Sequence, residues 1–377
     1  MGRDNLPHEQ LLRDGYNPCA LKLLKDTVQT RLLTASALFV ALVSPISAFA
    51  CATCGCSLSS DAATGYTSSA GWQVSLQYDY LNQNQLRSGT RGISSSRVAA
   101  INDAGGAQEV ENNTTNRYTT LSVSYAPSAD WNVRVLLPYI DRSHTTYGQS
   151  GNPLTADTLS GAKVSGLGDT KVIASYQGIL PTLNFGLQLG VKLPTGNYGG
   201  PNVTGTGIVG RKPVAFNSGP NSLNGSPGNL LDTSLQAGTG TTDIIVGAYY
   251  YQPISQDFDA FINGQFQSAV KKELNQPGAD YRPGNLTTVS FGLRYEANPD
   301  FVPQIQVNMT HKNRDQGALA DTLDSAGSVA YLSPGATVSV AKATQLYGFV
   351  QLPVRSNLEG YQLFPHWTAT LGMNHAF

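Results

Sequence analysis

The sequence predicts an all-β protein, a transmembrane antiparallel up-and-down β-barrel of about twelve strands behind a cleaved N-terminal signal segment. Three observations predict it. Apolar and polar residues alternate in segment after segment, the connections alternate between short and long, and an aromatic residue, Phe377, ends the last alternating segment. Charged residues make up only 13% of the 377 residues. That is about half the usual share of a soluble domain and suits a surface that faces lipid.

The first 50 residues have the pattern of a secretory signal. A basic stretch precedes the apolar run from Leu32 to Val43, and Ala48-Phe49-Ala50 follows as a small-residue cleavage site. The run is too short to cross a bilayer as a helix. We expect residues 1–50 to be removed, residues 51–70 to form a periplasmic segment that contains cysteines, and residues 71–377 to form the barrel.

Alternation with a period of two begins at Trp72. Apolar residues at even positions from Trp72 to Tyr80 share one face, and polar residues from Gln73 to Asp79 take the other. An amphipathic helix would not alternate in this way. Twelve segments have this character, although the faces of the sixth, tenth and eleventh are ambiguous. The segments are 72–82, 117–126, 131–140, 170–177, 183–193, 242–252, 257–267, 286–296, 301–311, 333–340, 344–354 and 364–377.

The connections between these segments alternate in length. The short ones are turns rich in Pro, Asp, Asn and Ser, at residues 127–130, 178–181, 253–257, 297–300 and 341–343. The long ones are residues 83–113, 141–164, 195–240, 268–284, 312–327 and 355–363. Outer-membrane barrels have short periplasmic turns and long extracellular loops. We therefore expect the bacterial outer membrane as the location, with both termini in the periplasm.

The end of the chain and its charge indicate the partners. A terminal aromatic residue on an alternating last strand is typical of the signal read by the barrel-assembly machinery, so Phe377 is the predicted contact with that machinery. Outer-membrane lipid is the second expected partner. A formal net charge of -1 argues against nucleic acid, because phosphate binding needs a basic face.

Several motifs resemble a known family. "GLGDTKVIASYQ" (166–177) is followed by "LQLGVKLPTG" (187–196), and "YLSPGATVSV" (331–340) is followed by "LYGFVQLPV" (346–354). With "QAGTGTTDIIVGAYY" and the closing "GYQLFPHWTATLGMNHAF", they resemble the outer-membrane barrels of the MetA-pathway phenol-degradation family over roughly residues 115–377. The resemblance implies a channel for small, often aromatic or hydrophobic, compounds.

The alternation also predicts which side chains face the interior. An Arg or Lys side chain in the lipid-facing band costs about 2–4 kcal/mol at mid-membrane, so charged residues belong inside. Inside, they could line a pore, or they could pair with one another and fill it. The sequence thus favours a passive channel for small organic solutes, with a filled barrel that serves as an anchor as the alternative. The candidate lumen residues are Asp79, Arg134, Lys171, Lys192, Phe261, Gln265 and Arg294.

Three cysteines, Cys51, Cys54 and Cys56, lie just after the predicted cleavage site. A c-type haem would need His after Cys54, where the chain has Gly55. A disulfide, a soft metal ion such as Cu(I) or Zn, and lipid attachment at Cys51 all stay open. If the barrel is an anchor, this segment would bind the metal or a partner protein. No other cofactor is expected, and no Ser–His pair predicts an enzyme.

Overall fold

Strands follow one another from Gly71 to Ala376 in the computed structural model, which describes residues 70–222 and 229–377. The predicted signal segment and the three cysteines Cys51, Cys54 and Cys56 lie outside the described residues, so their roles stay predictions. The elements are β1 Gly71–Gly89, β2 Arg91–Gly92, α1 Ser95–Asp103, β3 Glu111–Ala126, β4 Trp131–Thr146, β5 Ser160–Leu167, β6 Thr170–Tyr176, β7 Phe185–Leu193, β8 Tyr198–Pro201, β9 Ile208–Arg211, β10 Thr241–Pro253, β11 Phe258–Lys272, β12 Asn275–Gln276, β13 Ala279–Asp280, β14 Leu286–Tyr295, β15 Phe301–Lys312, β16 Gly327–Ala341 and β17 Thr344–Ala376. Single 3-10 turns lie at Ala156–Thr158, Pro220–Ser222 and Thr233–Leu235.

One antiparallel sheet closes on itself. Its hydrogen-bonded order is β1, β3, β4, β6, β7, β10, β11, β14, β15, β16, β17, and β17 pairs with β1. Strand β5 pairs with β4 beyond the end of β6, and β2 pairs only with β1. The hairpins β8–β9 and β12–β13 stand outside the sheet, in long loops. A closed sheet leaves no edge of unpaired backbone groups in lipid.

Strand β17 is folded into a hairpin. Residues 344–358 pair with β16, whereas residues 358–376 pair with β1. The amide of Ala376 donates to the carbonyl of Ala343 at 2.9 Å, which puts both ends of β17 at one level. A straight strand of 33 residues would instead be about 110 Å long. The eleven elements of the closed sheet therefore cross twelve times, and the predicted count of about twelve strands is confirmed.

One expectation about the long connections was wrong, and one element within them was not predicted. Residues 355–363 are not a loop, because the strand continues to a tight reversal at Gly360, whose φ of 62° favours glycine. The first long connection contains helix α1, which alternation could not reveal. The Ser94 hydroxyl caps this helix by accepting from the Arg97 amide, and its buried residues Val98 and Ala99 pack in a cluster with Leu86, Val110 and Leu363.

The outer surface is apolar between two levels of aromatic residues. At the end with the short turns, which we call the turn end, Trp72 packs on Tyr125 with ring centroids 4.6 Å apart. Nearer the opposite end, which we call the loop end, Tyr80 packs on Trp367 at 5.6 Å. This band with aromatic girdles matches the lipid-facing surface of outer-membrane barrels.

The only α-helix in the described ranges, α1, has nine residues, and no helix there is long and apolar enough to cross a membrane.

Candidate functional site in the barrel lumen

The seven candidate lumen residues occupy inward positions on their strands. Asp79, Lys192, Phe261 and Arg294 are buried, and Arg134, Lys171 and Gln265 are half-buried. Their neighbours on each strand face outward, as the period of two requires. A role of these residues in transport stays a prediction.

Lys192 on β7 is held between two carboxylates. Its Nζ atom lies 3.0 Å from Oδ2 of Asp243 and 3.3 Å from Oδ2 of Asp169, and its side chain is only 4% exposed. Gln267 donates to Asp243 at 2.6 Å, and Lys171 stands opposite Lys192 in the strand register. This charged cluster was only half predicted, because alternation pointed to the two lysines and not to their acidic partners.

Asp169 also ties the base of the longest loop to the barrel. Its carboxylate accepts from the backbone amides of Gly196 at 3.1 Å and Thr239 at 2.9 Å. Beside it, the Thr195 hydroxyl donates to the carbonyl of Gly168 at 2.8 Å. The "GLGD" and "LPTG" motifs therefore meet in space, and their shared contacts fix the point where the loop leaves and re-enters the wall.

Asp79 accepts hydrogen bonds from neutral side chains on the seam between β17 and β1. It accepts from the Gln77 amide at 2.9 Å and from the Thr370 hydroxyl at 2.6 Å. The Tyr347 hydroxyl in turn donates to Gln77 at 2.8 Å. Polar groups of three strand segments thus join where the barrel closes.

The other two charged candidates lie nearer the turn end. The guanidinium of Arg294 lies 2.9 Å from Glu296, and Asp259 stands opposite Arg294 in the register. Arg134 occupies an inward position on β4 opposite Ser124. Gln265 donates to Gln188 at 2.8 Å, so it belongs to a line of interior amides.

Phe261 lies flat on a glycine of the neighbouring strand. A Cβ atom placed on Gly292 would come within 2.2 Å of the Phe261 ring. Three other inward aromatic residues repeat this arrangement, Tyr249 over Gly186, Phe349 over Gly335 and Tyr347 over Gly372. These rings cover strand positions that lack a side chain.

A loop folds into the loop end of the barrel. We call its described parts, residues 212–222 and 229–240, the inner loop. Its residues Leu231, Leu235 and Ala237 are buried against Ile140 and Val164, which are inward residues of the wall. The connection was predicted, but its inward course was not.

Arg142 of β4 binds the inner loop from the wall. Its side chain is buried and donates to the backbone carbonyls of Leu235 and Gln236, while also donating to the Tyr118 hydroxyl at 2.9 Å. It was not among the predicted site residues, although its inward position on the same strand as Arg134 was a usable signal. Arg142 therefore holds the loop by hydrogen bonds to backbone carbonyls, which can break and form again.

The lumen is filled by side chains at the level of the outer apolar band. Gln306 is 1% exposed, Gln351 2% and Thr370 1%, although all three face the interior. Small barrels are commonly filled in this way.

Carboxylates from several loops line a cavity at the loop end. Burial, helped by the nearby Asp321 carboxylate, raises the pKa of Asp324 to about 6. Burial and the neighbouring carboxylates raise the pKa of Glu109 well above its usual range. The acidic residues lining the cavity are Glu109, Glu111, Asp232, Asp321 and Asp324. Within the described ranges, no group of three or more His, Cys, Asp or Glu residues is arranged to hold a metal ion.

Comparison with known proteins supports the fold and the family resemblance. Residues 224–363 match the family described as "Putative MetA-pathway of phenol degradation". The predicted resemblance is thereby confirmed over that range. No curated protein sequence matches the chain.

Solved structures with a similar course of the chain are outer-membrane barrels. An outer membrane channel from Pseudomonas putida F1 superimposes with a TM-score of 0.55 at 15% identity, over 82% of this chain and 96% of that chain. The toluene transporter TbuX of Ralstonia pickettii gives a TM-score of 0.41 at 10% identity, over 84% of this chain and 92% of that chain. The first likeness shows the fold alone, and the second is too distant to carry an argument.

Proposed function

We propose that this barrel, whose residues 224–363 match the phenol-degradation family, is an outer-membrane channel for the passive passage of small organic solutes, aromatic ones among them. The described structure would be its closed state. The observation that carries this proposal is the inner loop, which lies inside the barrel and is bound to Arg142 by hydrogen bonds alone. Such a loop can leave the lumen without breaking a covalent bond.

The orientation follows from the loop lengths. Short turns lie at one end and long loops at the other, which supports a periplasmic turn end and an extracellular loop end. Both termini of the described barrel lie at the turn end, since Phe377 donates its amide to the carbonyl of Trp72 at 2.8 Å. A solute would therefore meet the inner loop first, on its way in from outside. Passage along a lumen makes and breaks no covalent bond, so the proposal includes no enzymatic activity.

The purified barrel should be tested in planar lipid bilayers. We expect discrete conductance steps of low open probability, because the inner loop closes the lumen most of the time. Liposomes that contain the barrel should also swell in small neutral solutes faster than empty liposomes. Silent bilayers together with unchanged swelling would contradict the channel.

A filled barrel that serves as an anchor is the second candidate, and the packing of the lumen favours it. Gln306 and Thr370 lie inside the barrel and are almost inaccessible to water. The predicted binding segment of such an anchor, with Cys51, Cys54 and Cys56, lies outside the described residues. A variant with all three cysteines changed to serine should lose bound Cu(I) or Zn under this hypothesis. Unchanged metal content would contradict the hypothesis that the anchor binds metal through these cysteines.

A further inference from the structure

Charges in the lumen are compensated locally. Lys192 lies between Asp169 and Asp243, and Arg294 lies beside Glu296. The remaining buried carboxylate on β1, Asp79, is satisfied by an amide and a hydroxyl. Among the residues that the structure describes, Nε of Arg294 has no hydrogen-bond partner, but each of these charged groups has a counter-charge or a hydrogen-bond donor beside it. An ion that entered the lumen would therefore lose its water and find little in exchange.

Amide side chains also make polar contacts in the interior. Gln265 donates to Gln188 at 2.8 Å, Gln304 donates to the Thr337 hydroxyl at 2.9 Å, and Asn308 donates to the Ser333 hydroxyl at 2.8 Å. Each amide offers both donors and an acceptor. A solute hydroxyl or amide group can therefore replace one of these contacts with an equivalent hydrogen bond.

Several buried interior atoms have hydrogen-bonding capacity to spare, three of them on β15 and on the part of β17 that follows Gly360. Within the described residues, Oε1 of Gln306, Oγ1 of Thr368 and Oδ1 of Asn374 have no hydrogen-bond partner. Their side chains are 1%, 2% and 7% exposed, and all three occupy inward positions. A buried polar atom without a partner is unfavourable, so these atoms favour a guest that can hydrogen-bond to them.

The interior aromatic rings offer little to a hydrocarbon. Tyr249, Phe261, Tyr347 and Phe349 each lie on a glycine of an adjacent strand, and each is at most 5% exposed. A hydrocarbon would thus gain no ring face from them, and it would break amide contacts that it cannot replace.

We infer that the lumen selects uncharged solutes that carry hydroxyl or amide groups, and that it discriminates against ions and against plain hydrocarbons. The inference rests on the proposed channel function and narrows its solute class. The interior amide side chains would recognise the solute through hydrogen bonds. Among them, Gln306 has an acceptor oxygen, Oε1, without a partner in the described part of the chain.

Benzyl alcohol, toluene and benzoate test this selectivity, because they share one ring and one side carbon and differ only in the attached group. Each is added to the wild-type barrel in a planar bilayer, and interruptions of the ion current are counted. We expect benzyl alcohol to interrupt the current about tenfold more often than either of the other two, the ratio expected when one well-placed hydrogen bond separates the guests. Equal or stronger interruption by toluene or benzoate would overturn the inference, as would a conducting barrel that none of the three interrupts. A barrel that conducts no ions and also fails to speed liposome swelling in neutral solutes would instead contradict the channel itself.

Liposome swelling provides the second measurement. Erythritol and sodium tartrate have the same four-carbon chain, and erythritol should enter about tenfold faster. Gln306→Met should slow erythritol entry about fivefold, since it removes one neutral hydrogen-bonding group. The matched control is Ile305→Met, which places the same side chain on the outer face one residue away, where Ile305 is 44% exposed.

Unfolding of the Gln306 variant would be detected as loss of heat-modifiable mobility on gels. In that case Gln265→Met replaces it, because Gln265 lies two strands away, on β11, beyond β14. Erythritol entry that neither interior variant slows would overturn the assignment of recognition to the amides. Slowing in the Ile305 control alone would overturn it as well.

Discussion

At Lys192, one ammonium group compensates two buried carboxylates. Replacing it in Lys192→Met leaves Asp169 and Asp243 without their cation, although the new side chain has a similar length. Breaking one side of a buried ion pair costs about 3–5 kcal/mol. We expect the free energy of unfolding in urea to fall by that amount, measured on the barrel folded in detergent micelles.

Lys271 provides the control for that variant. Its pair with Glu273 has a distance of 2.8 Å, yet the lysine side chain is 69% exposed. Exposed ion pairs contribute little to stability, so Lys271→Met should leave the unfolding midpoint nearly unchanged. An equal loss in both variants would contradict the role assigned to Lys192.

Gly292 is required by the ring that lies on it. In Gly292→Ala the new methyl group would lie 2.2 Å from the Phe261 ring, so the ring or the strand must shift. We expect a destabilisation of about 1–3 kcal/mol, the usual cost of overpacking, in the same urea experiment. Adding Phe261→Leu should restore part of the loss.

Gly264→Ala is the matched control for this overpacking. Gly264 lies on the strand that carries Phe261, and a Cβ atom there would meet nothing closer than the Thr288 carbonyl at 3.9 Å. Its stability should change little. If the two alanine variants were equally unstable, strand propensity rather than the ring contact would be the cause.

Among the structural elements, the inner loop is bound to the wall partly by one buried cation, Arg142. Arg142→Ala removes the donors that hold the carbonyls of Leu235 and Gln236. Hydrogen bonds from a charged group contribute about 1.5–3 kcal/mol each, so the open fraction of channels should rise about tenfold or more. Single-channel recording in planar bilayers measures this fraction directly.

Arg117→Ala serves as the control for Arg142. Arg117 lies on the adjacent strand, and its pair with Asp141 is largely exposed at 3.6 Å. Its loss should leave the open fraction unchanged. Closed channels in both variants would favour the filled anchor over the channel.

Across the whole molecule, the acidic cavity joins loops that are far apart in sequence, and it makes the loop end sensitive to pH. The pKa of Asp324 is raised by burial to about 6 from an ordinary 3.8, so the folded loops bind its proton more tightly than the unfolded chain does. The ionised Asp324 carboxylate therefore destabilises the folded loops. This free energy cost is present in full above about pH 6 and disappears as the pH falls towards 3.8. We expect the protection of the amides of residues 321–325, which is their exchange corrected for its intrinsic pH dependence, to rise as the pH falls over that interval.

The variant Asp324→Asn checks this assignment. An amide cannot ionise, so the gain in protection between pH 6 and 3.8 should be smaller in the variant, and the part that stays belongs to Glu109 and Asp232, whose pKa values are also raised by burial. Exchange that keeps its full pH dependence in the variant would assign the effect to other carboxylates of the cavity.

The C-terminal residue, Phe377, lies at the closing seam of the barrel and is also the predicted signal for its assembly. The Phe377 side chain is 75% exposed, although its amide binds the Trp72 carbonyl at the closing seam. We propose that the ring is read by the barrel-assembly machinery and contributes little to the fold. Phe377→Ala should lower the amount of barrel in outer-membrane fractions severalfold while the purified protein refolds in detergent as wild type does. Poor refolding in detergent would instead indicate a structural role.

The sequence by itself determined the barrel. Alternation between two solvents is a local property, because each residue of a strand faces either lipid or the interior according to its parity. Inward placement of Asp79 and Lys192 therefore followed from their neighbours alone. Turn composition and loop length are local as well, so the order of crossings could be predicted. The reversal between the last two crossings was predicted as a loop over residues 355–363. The extension of both strands to Gly360 was not, because Ser356, Asn357 and Gly360 give this stretch a loop-like composition.

Only the tertiary structure decided how the lumen is closed. Lys192 meets Asp169, 23 residues before it, and Asp243, 51 residues after it, because three parts of the chain converge at one place on the wall. Whether the connection after β9 points outward or inward depends on Arg142 and on the apolar inward positions near Ile140. Such partners are chosen by the curvature and register of the closed sheet, and no local pattern records them.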